Sequence, residues 1–282
     1  MAKQRRIHEK LDEIFSKEIF FIVGFTRPGA NWLQRVLDAH PDICCKGEGH
    51  FTDHLYPMLG RTIGLYNQQT QRSKRLLELT GDKGESADFS FNDLEYLLGR
   101  IIGLVFNRWV GDSPVRCIGE KTPENSLNME LLSRAVPKAK FIHVIRDGRD
   151  EAVFAWEFSR RVYGEKLNKK YPDFASFSKT FARKWSSAVG KARLHGRNNP
   201  DSYMEVRCED IYIDPAPVVT DLLLYLGMEA GEGAVSACLE AGQEGASPGA
   251  STAHREKYFD EDSLRVFHRY GGELLKLMEY EV

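Results

Sequence analysis

No stretch of this sequence stays apolar long enough to span a bilayer. The run nearest the start, Ile19 to Phe25, falls far short of the ~20 residues a membrane helix needs, and residues 1–18 are charged and amphipathic without a signal-peptide core. A cytoplasmic protein with no membrane span is expected. A charge excess is missing too, because 39 Lys and Arg face 41 Asp and Glu. No global field would draw the chain to nucleic acid or anionic lipid, so an anionic ligand has to be held by a local cluster. Paired cysteines are absent: Cys44, Cys45, Cys117, Cys208 and Cys238 are odd in number, scattered and free of CxxC spacing. That excludes a disulfide framework and fits free thiols in a reducing compartment. His, Cys and carboxylates show no cluster at ligand spacing, so no metal is expected. There is no internal repeat and no low-complexity tract. What remains, 282 residues of which 42% are hydrophobic and 28% charged, is the balance of a folded chain that can bury one sizeable core.

Strand and helix patterns alternate along that chain. The apolar run from Ile19 to Val23, closed by Gly24, reads as a strand buried on both faces. A helix follows, with Asn31 as its cap and Trp32, Leu33, Val36 and Leu37 as its apolar stripe. Residues 60–90 are polar and read as a surface excursion, helical in part. Asn92 with Glu95 forms a capping box for a long helix through Val105. Val115 to Gly119 and Phe141 to Ile145 read as strands, and Ser126 to Ala135 and Asp150 to Arg161 as helices. Phe174, Phe177, Phe181 and Trp185 mark the core face of a further helix. Tyr203 to Val206 is a strand, Asp214-Pro215 opens a helix that Gly227 stops, and a last helix runs from Asp260 to Leu277. Ala241 to Ala253 reads as a loop. Alternation of this kind predicts an α/β protein with three αβα layers around a mainly parallel sheet, its crossovers right-handed.

The first strand-to-helix junction, Gly24-Phe25-Thr26-Arg27-Pro28-Gly29-Ala30-Asn31, places unpaired backbone N–H groups and a helix dipole where an anion would sit. Its glycines have Walker A separation, but Ala30 stands where the lysine would be and Asn31 where the Ser/Thr would be. Nucleoside triphosphate chemistry needs both. Arg27 still offers a cationic fork to oxyanions. A tight turn without ligand is the alternative.

In order and spacing, GFTRPGANWLQRVLDAHPDI, KGEGHF, GEKTP, KFIHVIRDGRD and EVRCEDIYIDP followed by LYLGM resemble the sulfotransferases that use 3′-phosphoadenosine 5′-phosphosulfate (PAPS), especially their bacterial and tyrosylprotein-like branch. The resemblance runs from Phe20 to Tyr280 and implies a P-loop NTPase-like fold, a single domain over residues 1–282, PAPS as donor and adenosine 3′,5′-bisphosphate (PAP) as product. Residues 1–18 would be an N-terminal extension and 51–90 an acceptor-side excursion. In this family the loop after the first strand binds the 5′-phosphosulfate, which implies roles for Arg27, Pro28, Gly29, Ala30, Asn31 and Trp32. Pro28 and Ala30 depart from the family pattern, removing two hydroxyl donors and one backbone N–H. The 3′-phosphate would fall to Arg146, with Arg149 beside it, because Phe154 stands where relatives have a serine. Asp150 can equally cap the next helix, and Arg146 can equally pair with a carboxylate. Arg255 and Lys257, in His254-Arg255-Glu256-Lys257-Tyr258, resemble the segment that closes over that phosphate; the alternative is a solvated face.

Sulfuryl transfer, like phosphoryl transfer, is mostly in-line positioning and neutralisation of charge. Arg27 and Lys121 are the cations for that task. Glu48, in the segment where tyrosylprotein relatives carry their catalytic glutamate, is the implied general base, with His50 in reserve. The histidine that cytosolic relatives use is replaced by Pro123. The acceptor, whether a small molecule, carbohydrate, lipid or peptide, would be selected by residues 51–90 and a loop from Arg160 to Lys170. Two rival readings stay open: a binding or regulatory protein on a sulfotransferase scaffold, and an atypical kinase.

Overall fold

The computed structural model describes residues 2–26, 29–243 and 255–281. Its strands are β1 (Glu18–Val23), β2 (Ile43–Gly47), β3 (Cys117–Lys121), β4 (Lys140–Ile145) and β5 (Tyr203–Arg207), in the order β2-β3-β1-β4-β5. Every pairing is parallel. The helices are α1 (Ala2–Ser16), α2 (Ala30–Asp38), α3 (Tyr56–Leu79), α4 (Phe91–Val110), α5 (Met129–Ala135), α6 (Gly148–Tyr163), α7 (Glu165–Lys170), α8 (Phe174–Asn198), α9 (Cys208–Ile213), α10 (Pro215–Tyr225), α11 (Glu232–Gln243), α12 (Arg255–Tyr258) and α13 (Glu261–Leu277). Among the described residues no helix is long and apolar enough to cross a membrane.

Three layers follow from the two-residue period of the strands. Phe20 and Ile22 of β1 join Ile43, Cys45, Ile142, Val144 and Val206 in packing against α2, α10 and α11. Their neighbours Ile19, Phe21 and Val23 join Cys44, Ile118 and Phe141 against α4 and α5. A third apolar cluster sits between α6, α8 and α13, where the aromatic stripe of α8 buries Phe174, Phe177, Phe181 and Trp185 against Phe267. Residues 1–18, read as an extension, contribute to the main core: Leu11 and Ile14 of α1 are buried, and the Phe15 ring occupies the space a Cβ on Gly103 of α4 would need.

Several local expectations give way to particular contacts. Asn31 does not cap α2; Gly29 does, at φ 78°, a left-handed conformation that glycine adopts without strain. The capping box of α4 is Ser90 with Asp93, while Glu95 receives two hydrogen bonds from Arg134 Nε at 2.9 and 3.0 Å instead. The helix expected over 126–135 is split into a 3₁₀ turn, Pro123–Leu127, and α5, because Asn125 and Ser126 turn inward and are buried. The supposed loop from Arg160 to Lys170 is helical, broken only at Gly164 (φ 48°). In the excursion a five-residue π turn, Phe51–Leu55, leads into α3, and no side chain of α3 is buried. The Ala241–Ala253 loop gives way to α11 as far as Gln243, and the rest of that segment lies outside the described residues.

Where α4 crosses α5, a Cβ on Gly99 would lie 2.0 Å from the Ala135 carbonyl oxygen, whereas one on Gly64 of α3 would meet nothing within 4 Å. Gly99→Ala is therefore expected to cost on the order of 1–3 kcal/mol in urea unfolding. Gly64→Ala should be neutral or gain up to ~1 kcal/mol, since alanine only lowers the entropy lost on forming the helix.

Candidate active site

β1 is central, and successive strands leave it on both sides, so the carboxyl ends of the strands frame the crevice where open parallel sheets bind ligands. The junction after β1 is pinned at several points along this edge. Gly24 N–H donates to the Pro123 carbonyl at 3.1 Å, and Thr26 Oγ1 donates to Glu151 Oε1 at 2.8 Å. A Cβ on Gly29 would lie 3.1 Å from Cys208 Sγ. Arg27 and Pro28, both expected to contact the donor, lie outside the described residues. Ala30 is buried and Asn31 exposed. The Trp32 indole packs on α11, occupying the space a Cβ on Gly242 would need.

Glu48 and Lys121 meet because β2 and β3 end in register, with Gly47 opposite Lys121. A Cβ on Gly47 would stand 2.7 Å from the Lys121 carbonyl oxygen, so only glycine lets the chain pass there. Lys121 Nζ donates to Glu48 Oε1 at 2.6 Å, with the two side chains 5% and 16% exposed. Both line a cleft of about 380 Å³ together with Asn31, Gln34, Arg35 and Gly47. His50 Nε2 lies 3.3 Å from Glu48 Oε2, and its Nδ1 lies 2.9 Å from Asp53 Oδ2. The π turn also stacks the His50 and His54 rings, centroids 4.5 Å apart. This corrects the expectation that no ligand-spaced cluster exists: His50, Asp53 and His54 bring one potential ligand atom each within 4.8 Å of one another.

Under this loop lies Glu120, which the sequence reading passed over. It is fully buried in β3 and accepts from Gly49 N–H at 2.8 Å and Asn125 Nδ2 at 2.9 Å, and also from the Thr122 hydroxyl. Burial pushes its carboxyl up to about 7, and the hydrogen bonds from Thr122 and Gly49 and the charges of Lys121 and His50 work against that rise. An acid directly after the apolar residues of a predicted strand was the available signal. Asp53 was also missed, although it sits three residues from His50, on the same helical face.

At the end of β4 the chain turns into α6 through Arg146-Asp147-Gly148-Arg149-Asp150. The cap of α6 is Asp147, not Asp150: its Oδ1 accepts the Arg149 N–H at 2.9 Å. Arg149 also grips both Asp147 oxygens, at 3.0 and 2.7 Å. Arg255, far along the chain, reaches the same turn: its Nη2 donates to Asp147 Oδ2 and its Nε to Asp150 Oδ1, each at 2.9 Å. Burial opposes ionisation of Asp147, yet Arg149 and Arg255 hold it below the usual carboxylate range. For Asp150 burial prevails and its pKa rises; for Glu151 burial lifts it to about 7. Glu209 Oε1 accepts the Asp147 N–H at 3.0 Å, and its Oε2 accepts the Tyr280 hydroxyl at 3.1 Å. Arg146 is 5% exposed. Phe154 is half-buried on α6, and Lys257 is exposed with its ammonium over the Tyr258 ring. His254 lies outside the described residues.

The raised carboxyl of Glu120 has a thermodynamic consequence. Its folded pKa of about 7 exceeds the ordinary 4.5, so the folded state binds the proton more tightly. Its contribution is fully present below 4.5 and is lost as pH rises through about 7. Glu120→Gln is expected to flatten the fall in stability across that window, as read by urea unfolding at a series of pH values.

Comparison with known proteins agrees with this arrangement. Residues 20–232 match the family model described as Sulfotransferase family. Protein-tyrosine sulfotransferase 1 of Danio rerio is 24% identical over 217 residues, covering 76% of this chain and 55% of that protein. Its Homo sapiens counterpart is 28% identical over 131 residues, 46% of this chain and 32% of that one. The chain thus spans about half, or less, of the length of these two relatives. Among solved structures, a sulfotransferase from Mycobacterium avium superposes with a TM-score of 0.63 at 12% identity, covering 100% of this chain and 82% of its own. A mouse sulfotransferase complexed with PAP gives 0.56 at 15% identity, covering 95% and 89%. These structural likenesses show a shared P-loop-like sulfotransferase fold, and with the family match over most of its length the chain belongs to the sulfotransferase family.

Proposed function

We propose that this chain transfers the sulfuryl group of PAPS to a hydroxyl or amine acceptor by in-line displacement, with Glu48 as general base. The observation that carries the reading is the Lys121–Glu48 contact of 2.6 Å in the cleft beside Asn31. A cation and a carboxylate at one spot can serve the two demands of the reaction: charge neutralisation on the sulfuryl oxygens and removal of the acceptor proton. On donor entry Lys121 turns to the sulfuryl group, joined by Arg27, and Glu48 is released to the acceptor. The N–H groups of Gly29, Ala30, Asn31 and Trp32 receive the 5′-phosphosulfate, while Arg146, aided by Arg255, takes the 3′-phosphate. No metal is needed for these steps. One catalytic domain spans the chain, with residues 51–90 on the acceptor side, where a small molecule, carbohydrate, lipid or peptide hydroxyl would enter. All five cysteines are buried free thiols, in keeping with a cytoplasmic setting.

The rival reading, a non-catalytic protein on this scaffold, draws on Asp147 and Asp150 engaging the Arg255 guanidinium and on Phe154 at the serine position. Thermal unfolding separates the readings. PAP is expected to raise the melting temperature, with ~2.7 kcal/mol gained at a hundredfold excess over Kd, and ATP with Mg²⁺ to leave it unchanged. No shift with PAP would favour the scaffold reading, and a shift with ATP·Mg²⁺ alone the kinase. Glu48→Gln should keep the PAP shift and lose sulfuryl transfer by ~100-fold or more, measured with PAPS and a phenolic acceptor; turnover at the wild-type rate would refute the base assignment.

A further inference from the structure

Arg35 lies on α2 four residues beyond Asn31 and on the same face of the helix. It lines the cleft of about 380 Å³ that also holds Lys121 and Glu48. Half-buried there, it keeps its Nε out of water without a hydrogen-bond partner, and among the described residues its guanidinium makes no hydrogen bond, ion pair or ring contact. The neighbours on α2 are engaged elsewhere. Asp38 receives Lys46 Nζ at 2.6 Å and the Cys45 N–H at 2.8 Å, and Gln34 Nε2 reaches the Cys45 carbonyl at 3.4 Å. A guanidinium is always charged and carries five donors, so a partly dry one left unmatched calls for a partner from outside the chain. Its planar fork fits a carboxylate best.

The geometry points to Arg35 as the residue that selects the acceptor: it receives the carboxylate of a small hydroxy or phenolic acid whose hydroxyl lies at Glu48. The inference rests on the reading above, in which Lys121 and the N–H groups at the start of α2 serve the donor and Glu48 takes the acceptor proton. Those assignments leave Arg35 as the cation of the cleft with no task in the transfer itself. Glu48 in its ionised form would repel an acidic acceptor. A positive charge in the same cleft offsets that repulsion, whereas a neutral acceptor gains nothing from it, so the pair of charges discriminates between the two. The volume of about 380 Å³ is at the small end of ligand sites and suits a compact acid. Arg35 stays protonated throughout and takes no part in bond making.

The test is equilibrium binding to the full chain saturated with PAP, which needs no turnover. 4-Hydroxyphenylacetate and 4-methylphenol share a phenol and differ in the carboxylate. The wild type should bind the acid roughly tenfold or more tightly than the neutral phenol. Arg35→Ala should weaken binding of the acid by roughly 10- to 100-fold and leave 4-methylphenol within about twofold. Arg35→Lys should recover part of that loss, and Arg35→Glu should reverse the order in favour of tyramine, the cationic counterpart. The PAP melting shift of each variant should match the wild type. Equal affinity for acid and neutral phenol in the wild type, or an equal loss for both in Arg35→Ala, would overturn the proposal. So would a diminished PAP shift in Arg35→Ala, which would move Arg35 to the donor side. Should Glu48→Gln turn over normally, the base assignment fails, and the preference for the acid still decides the role of Arg35. No PAP shift in the wild type would bring down the sulfuryl-transfer reading and this proposal together.

Discussion

The candidate site depends on two parallel strands ending level with each other. β2 and β3 pair Gly47 with Lys121, so Glu48, just beyond β2, comes beside Lys121 at the end of β3. A slip of one residue would point Lys121 to the opposite face of the sheet and separate the charges. The register is fixed from below by the apolar pairs Ile43 with Cys117 and Cys44 with Ile118, all buried. Packing deep in the core thus determines the spacing of an ion pair at its edge. That pair is nearly dry, and such a contact is held less by its own net energy than by the cost of leaving either charge alone.

The same economy governs the turn between β4 and α6. Arg149 and Arg255 lie against Asp147 and Asp150, so buried guanidinium charge is neutralised by carboxylates of the same short segment. A phosphate arriving there would exchange partners with groups already in place rather than meet bare cations. Asp147 performs three tasks at once, as cap of α6, clamp on Arg149 and anchor of Arg255. The helix start, the cation array and the returning α12 are therefore mechanically one unit.

Much of this was legible in the sequence because it rests on periodicity. The buried strands and the aromatic face of α8 follow from side-chain spacing, whereas Glu48, Lys121 and Arg146 were singled out by the family resemblance and lie at or just beyond the ends of β2, β3 and β4. β2 was not foreseen, since Ile43-Cys44-Cys45 is too short a run to separate from the turn before it. The caps at Gly29, Ser90 and Asp147 were not foreseen, because a cap is decided by backbone angles that composition does not record. Glu120 and Asp53 escaped for a different reason. Each matters through a partner distant in sequence or on an irregular turn, and no spacing rule anticipates a π turn that stacks His50 on His54.

Glu209 joins two regions that sequence distance would keep apart. One of its oxygens holds the backbone of Asp147, and the other holds the hydroxyl of Tyr280, while Arg207 lies under the Tyr280 ring and donates to the Met278 carbonyl. The segment following α13 is therefore a buttress of the turn between β4 and α6. A disturbance at Tyr280 would be passed through Glu209 to Asp147, and from there to Arg149 and Arg255.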